Sequence, residues 1–339
     1  MSDDENFFFK GSADKKDIDY YNRMTYNDII ACGFDPDRTL IFSNYRMFGQ
    51  DLYWNAAKME QSTTGNQLRG IYGLDLNNNA GEIGWPCRQC APAYSNSFPD
   101  ILHPSGPFTE PFYDGYREYS GRHTRCLVPM AIDQDPYFRM ARDFAEKMKG
   151  SGYLKPATIH SKFIVGLAGI RGKMNSTGEG ANTTLYLNDD VREIKSKIKK
   201  HAYSGGKDTR ELQERYGANL HVDVCYQYLT YFLDSDEELA AIAHAYRSGA
   251  MLTGQIKDIT ADVIGNLIAR HQERVASITE EDMRKFFNRN RAFNLSRDES
   301  RPALELESDD RYATYGCSFD VTCGARPSEE ALEFEIENA

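Results

Sequence analysis

Apolar residues recur every three to four positions through most of this chain and run together in only a few short stretches. Ile18, Tyr21, Met24, Tyr26, Ile29 and Ile30 give one helical face over residues 17–32, with Gly33 as its stop. Residues 51–61 repeat that pattern, and 66–74 continue it less regularly. Residues 80–98 (AGEIGWPCRQCAPAYSNSF) resist assignment because Pro86 and Pro92 interrupt any helix. Three short apolar runs read as strands: 39–43 (TLIFS), 126–132 (CLVPMAI) and 158–167 (TIHSKFIVGL). Between the last two, Tyr137, Met140, Ala141, Phe144 and Met148 mark a helix face, with Asp135 as the expected N-cap and Pro136 at the first helical position. From 189 onward the pattern is helical only: 189–203, 208–216, 223–233, 236–247, 254–275 and 279–288, the last opened by a capping box of Thr279 and Asp282.

Alternating strands and helices followed by helices alone predict two domains, α/β over 1–187 and all-α over 188–295. The α/β part should hold a mostly parallel sheet with crossover helices. Residues 103–125, rich in Gly, Pro, Tyr and charge, read as a long surface loop. Residues 296–339 have no periodicity and carry twelve Asp/Glu against four Arg, so an acidic, disordered tail is expected there.

That tail changes the meaning of the net charge. It accounts for −8 of the total −11, so the body carries only −3, and charge does not exclude a nucleic-acid partner. No apolar run reaches the ~20 residues of a membrane span, and the first residues, MSDDENFFFK, do not read as a secretory signal. Seven cysteines in such a chain point to reduced thiols and a cytoplasmic setting. Cys87 and Cys90 form a CxxC, but Cys317 and Cys323 lack the spacing of a second zinc pair, so buried thiols and no metal site are expected.

Asp133 and Gln134 fall at the carboxyl end of a strand facing a helix N-terminus, where open α/β sheets bind ligands. A capped joint with solvated polar tips would produce the same residues. Residues 169–182 (GIRGKMNSTGEGAN) form a glycine-rich loop with Lys173 and hydroxyls at Ser176 and Thr177, a composition suited to gripping a polyphosphate. It is not a P-loop, because Leu167 stands five before Gly172 and Met174 follows the lysine. Just beyond it, Lys195, Lys197, Lys199, Lys200, His201 and Lys207 make a basic segment, either a solvated helix face or a contact for a nucleic-acid backbone.

Taken in order, these stretches resemble the eukaryotic and archaeal-type tryptophanyl-tRNA synthetases, which are class I enzymes. The resemblance runs through SDDE (2–5), DIIACGFD (28–35), Pro86, Gln89, Ala91-Pro92 and SNSFP (95–99). It continues through AIDQDPYFRM (131–140), KPA (155–157), KHAYSGG (200–206) and SGAMLTGQIK (248–257), and ends near residue 295. It implies a Rossmann-type catalytic domain followed by a helical anticodon-binding domain. The implied reaction is activation of L-tryptophan with ATP and Mg2+ and its transfer to tRNA(Trp), by a cytoplasmic homodimer. By the same resemblance, Glu5, Gln89 and Gln134 hold the amino-acid end of tryptophan, and Met130 and Phe138 wall the indole. Lys173, with Met174, Ser176 and Thr177, matches the family's KMSKS loop on ATP. From the basic segment, Lys195, Lys199 and Lys200 are the expected tRNA contacts.

The chain also departs from that pattern. His103, His123, His160, His201, His221, His244 and His271 are its seven histidines, and none lies in an HxGH setting. The family places its HIGH motif upstream of the stretch matching SDDE, so the chain is expected to begin inside the nucleotide fold, with Met1 where the family commonly has an internal methionine. Asn6 stands where the lysine after DDE is usual, and the loop reads KMNST, with Asn175 and Thr177 in place of serines. Two readings stay open: a synthetase whose start lies further upstream, or a synthetase-like protein that binds tryptophan or tRNA without activating it. A relative of the tyrosyl-tRNA synthetases would share the fold but fits these motifs less well. A parallel sheet lacking its first strand should expose an apolar edge, so the 339 residues alone are expected to fold loosely.

Overall fold

A computed structural model describes residues 1–10, 14–99, 101–102, 125–148, 153–169 and 183–290. The described residues fall within one contact unit, Met1–Asn294. They are mostly helical, with one small parallel sheet.

Among the described residues six helices precede the sheet: α1 (Asp3–Lys10), α2 (Lys15–Ala31), α3 (Asn44–Met47), α4 (Gln50–Ser62), α5 (Gly65–Tyr72) and α6 (Ala80–Cys90). The starts of α2, α5 and α6 are written in the side chains. The Asp14, Thr64 and Asn79 side chains each accept from the backbone amide of the third residue beyond, and their own amides donate back to that residue's side chain. Residues 39–43 do not form the expected strand. They carry no regular structure and make isolated backbone bonds, Ile41 N to Phe286 O at 3.0 Å and Asn44 N to Met1 O at 3.0 Å, rather than a ladder. Residues 80–98 resolve into a helix that passes through Pro86 and stops ahead of Pro92. Two 3-10 turns follow, Ala91–Ala93 and Ser95–Ser97. Pro86 withholds the amide that Glu82 would accept, and its ring is buried instead.

Strand β1 (Leu127–Ala131), helix α7 (Asp135–Lys147) and strand β2 (Ala157–Ser161) form a parallel strand–helix–strand unit, with Met130 opposite His160. β2 is shorter than the apolar run suggested. Pairing stops at Ser161, and residues 162–164 carry no ladder. The remaining helices lie within two or three residues of expectation: α8 (Val191–His201), α9 (Arg210–Tyr216), α10 (Val224–Phe232), α11 (Asp236–Ser248), α12 (Thr253–Ser277) and α13 (Glu280–Phe287). Thr279 and Asp282 make the predicted capping box. No helix among the described residues is long and apolar enough to cross a membrane.

Two larger apolar cores result. One joins α4–α7 through Met59, Leu68, Cys87, Tyr94, Phe138 and Phe144. The other joins α8, α10, α11 and α12 through Ile194, Ile198, Val224, Leu229, Tyr246 and Ile256. Leu167, ahead of the glycine-rich loop, packs into the second core.

Candidate active site

β1 ends at Ala131, a single 3-10 turn (Ile132–Gln134) follows, and α7 begins at once. The helix starts one residue earlier than the sequence suggested. Gln134 occupies the N-cap position without a side-chain cap bond, Asp135 is the first helical residue and Pro136 the second. Asp135 therefore does not cap the helix. Its carboxylate is taken by Arg139 one turn on and by His160 Nε2 at 3.0 Å, from β2. These two side-chain donors take the oxygens that would otherwise accept from the backbone amides.

Freed from capping, the Gln134 amide turns towards α6. Gln89 Nε2 donates to Gln134 Oε1 at 3.3 Å, and Ser2 Oγ donates to Gln89 Oε1 at 3.2 Å. Three segments far apart in sequence thus meet at the carboxyl end of β1. Met130 and Phe138, each 7 % exposed, belong to the core directly beneath. Glu5, on α1, is close enough to act on Tyr137, whose phenol is pushed up first by burial and then by the Glu5 charge. What brings α1 this close is Gly81: a Cβ there would stand 2.1 Å from Phe8 Cδ1. Gln89, Gln134, Met130 and Phe138 thus lie around one strand end, with the Glu5 charge acting on the neighbouring Tyr137.

Tyr137 reads in the sequence only as part of a helix face, and Tyr72 carries no signal there. Their rings stack at 4.8 Å, and the Tyr72 hydroxyl donates to Pro136 O at 3.3 Å, tying α5 to the start of α7. No local pattern marks such a pair. His160 was likewise missed, although a polar residue set opposite Met130 in the strand register was a signal available in principle.

Cys87 and Cys90 are buried and inert. Burial pushes the Cys87 thiol up to about 12 and the Cys90 thiol well above its ordinary value. Cys90 Sγ donates to Tyr137 O at 2.9 Å, so the CxxC packs α6 against α7. Among the described residues no group of three His, Cys, Asp or Glu side chains is arranged to hold a metal ion. A surface cleft of about 180 Å3 between Arg46, Phe48, Leu52, Ser97 and Pro99 contains none of the site residues.

Lys173, Met174, Ser176 and Thr177 lie outside the described residues. The chain leading to and from them is fixed, however. Leu167 N donates to Thr183 O at 3.1 Å across the loop base, and Tyr203 N donates to Leu167 O at 2.7 Å. Beyond it, Lys195 pairs with Asp262 at 3.0 Å and Lys199 with Asp258 at 2.7 Å, both across to α12. Lys197 is held at 2.7 Å by the buried Asp189. Lys200 is exposed and has no carboxylate partner among the described residues.

The KHAYSGG and SGAMLTGQIK stretches come together as a buried polar knot. Asp223 accepts from Gly205 N at 2.9 Å, Tyr226 N at 2.9 Å and the Tyr246 hydroxyl at 3.0 Å. Ser204 Oγ lies 3.1 Å from the same hydroxyl and 3.4 Å from Thr253 Oγ1. A Cβ at Gly205 would stand 1.9 Å from Asn219 O, so the tight loop needs glycine there.

Residues 113–269 match the family described as class I tRNA synthetases for W and Y. The cytoplasmic tryptophan–tRNA ligase of Rattus norvegicus is 42% identical over 288 residues, covering 84% of this chain and 55% of that protein. That of Dictyostelium discoideum is 42% identical over 291 residues, covering 85% of this chain and 67% of that protein. Among solved structures, tryptophanyl-tRNA synthetase from Giardia lamblia superposes with a TM-score of 0.76 at 34% identity, over 86% of this chain and 73% of that one. The chain spans little more than half the length of mammalian relatives such as the rat enzyme. On collinear identity of this extent and on shared fold, the chain belongs to the tryptophan–tRNA ligases, within the class I tRNA synthetases.

Proposed function

We propose that the protein is a tryptophan–tRNA ligase that activates L-tryptophan with ATP and esterifies tRNA(Trp). The observation that carries this reading is the Ser2–Gln89–Gln134 chain of hydrogen bonds at the carboxyl end of β1, beside Glu5 and above Met130 and Phe138. Two amide groups and a carboxylate suit an α-ammonium group, and an apolar floor suits an indole. Holding the ammonium aims the tryptophan carboxylate at the α-phosphorus of ATP, so that the first step is mainly positioning and charge stabilisation. An enclosed slot that hydrogen-bonds the substrate rejects analogues lacking the right groups more strongly than an apolar slot does.

The finer assignments belong to the same proposal. Lys173, with Ser176, Thr177 and Met174, neutralises the departing pyrophosphate, and Mg2+ arrives on the nucleotide, held by its phosphates. Residues 1–187 form the Rossmann-type catalytic domain, and 188–295 the helical domain that meets the anticodon. Lys200, and Lys195 and Lys199 once released from their aspartates, contact the tRNA backbone. The working unit is a cytoplasmic homodimer. Charging assays test the whole reading: radiolabelled tryptophan should become acid-precipitable on tRNA(Trp) only when MgATP is present. Tryptophan binding without any ATP-dependent charging would leave a binding protein in its place.

A further inference from the structure

Asp135 stands next to Gln134 in sequence and next to His160 in space. Its carboxylate is only 14 % exposed, whereas the histidine is 39 % exposed. A carboxylate only accepts, so His160 Nε2 is the donor in their 3.0 Å contact. Arg139 closes on the same carboxylate from the next turn of α7. A second tie joins the same two elements, since Arg142 Nη1 donates to Pro156 O at 2.5 Å just before β2. The amino end of α7 is thus held onto β2 at the one residue that follows the substrate-side amide.

The geometry has a consequence for Gln134. Its backbone sits at φ −85 and ψ −11, and its side chain makes no cap bond that would fix it from its own helix. Where its amide points is set by the Gln89 contact on one side and by the anchored Asp135 on the other. His160 also lies opposite Met130 in the strand register, so the residue that holds the helix start neighbours one wall of the indole slot.

We infer that His160 is a positioning residue for tryptophan: through Asp135 it fixes the start of α7 and with it the Gln134 amide that meets the substrate. The inference rests on the tryptophan site proposed above. It assigns His160 no contact with substrate and no proton transfer. Its effect falls on tryptophan rather than on ATP, because the clamp lies on the amino-acid side of the turn.

The test compares variants in tryptophan-dependent ATP–pyrophosphate exchange on the full-length protein. His160→Ala should raise the tryptophan KM about three- to tenfold, the value of one lost hydrogen bond. The KM for ATP and kcat should stay within about twofold. His160→Gln, whose amide nitrogen reaches where Nε2 stood, should restore the KM, and His160→Asn, which is too short, should not. This glutamine–asparagine contrast decides the matter even where the alanine variant folds poorly. Asp135→Ala combined with His160→Ala should be no worse than Asp135→Ala alone. Equal tryptophan KM for the Gln and Asn variants, or parallel loss of kcat and both KM values, would overturn the inference while Gln134→Ala still raised the tryptophan KM. Absence of any tryptophan saturation in the unaltered protein would instead remove the site itself.

Discussion

Gln89 Nε2 donates to Gln134 Oε1 at 3.3 Å, and this one bond joins α6 to the turn between β1 and α7 across 45 residues of sequence. Both side chains are half-buried, and neither amide is used to cap a helix. Substituting either by alanine should therefore weaken tryptophan binding while leaving the fold in place. An expected tenfold or larger rise in tryptophan KM, at about 1–3 kcal/mol for an unpaired partner, is read by steady-state kinetics. A thermal midpoint within about 2 °C of the unaltered protein should accompany it.

Asp223 is a buried carboxylate with Gly205, Tyr226 and Tyr246 all donating to it. Asp223→Ala removes the acceptor of three bonds, two of them buried, and should cost about 3 kcal/mol or more, whereas Tyr246→Phe removes one donor and should cost about 1. Urea denaturation of the two variants checks the order. Equal, small effects would mean that water replaces the carboxylate.

Gly81 leaves no room for a side chain beneath Phe8. Gly81→Ala should push α1 away from α6, destabilise the protein by about 1–3 kcal/mol and raise the tryptophan KM by displacing Glu5. Phe8→Ala in the same protein should recover stability by vacating the space. Failure of the second change to compensate would locate the strain elsewhere.

Burial pushes the thiols of Cys87 and Cys225 from 9.0 up to about 12. The folded state thus keeps protons that the unfolded chain releases above pH 9. Their contribution is complete below pH 9 and is lost as the pH rises towards 12, at about 1.4 kcal/mol per pH unit for each thiol. Urea midpoints should fall between pH 9 and 10.5, and the fall should be shallower in Cys87→Ala. Thiol labelling at pH 8 followed by peptide mapping should find Cys32 modified and Cys87, Cys90 and Cys225 protected until the protein unfolds.

The lysines beyond the loop are unequal. Lys195 and Lys199 already face Asp262 and Asp258, and Lys199 holds the Asp258 carboxyl below its usual range. Lys200→Ala should then weaken tRNA binding more than either neighbour and lower the salt slope by about one. Asp258→Asn should strengthen binding by releasing Lys199. Filter binding across a salt series measures both.

Helices α8 to α13 were legible in the sequence because periodicity and caps agree there, as at Thr279 and Asp282. α6 was not legible, since Pro86 argues locally against a helix that core packing of Trp85 and Cys87 enforces. The run 39–43 has strand composition but lies against α13 and the first residue instead of another strand, a tertiary choice that composition does not encode. The parallel strand–helix–strand unit was anticipated from its short apolar runs and the helix face between them, whereas Gln89 and Gln134 were named through resemblance and no local pattern marks the bond between them. Asp135 was read as a cap because the residues that claim it are one turn along and on another strand. The pairing of Lys195 and Lys199 with α12 was hidden for the same reason: charge runs are visible in sequence, but their partners across a helix interface are not.

The central claim is tested most directly by tryptophan-dependent ATP–pyrophosphate exchange on the full-length protein, run beside Gln134→Ala. Exchange should occur with tryptophan but not with tyrosine or phenylalanine, and should fall sharply in the variant at limiting tryptophan. Exchange supported equally by tyrosine, or unchanged by Gln134→Ala, would contradict it.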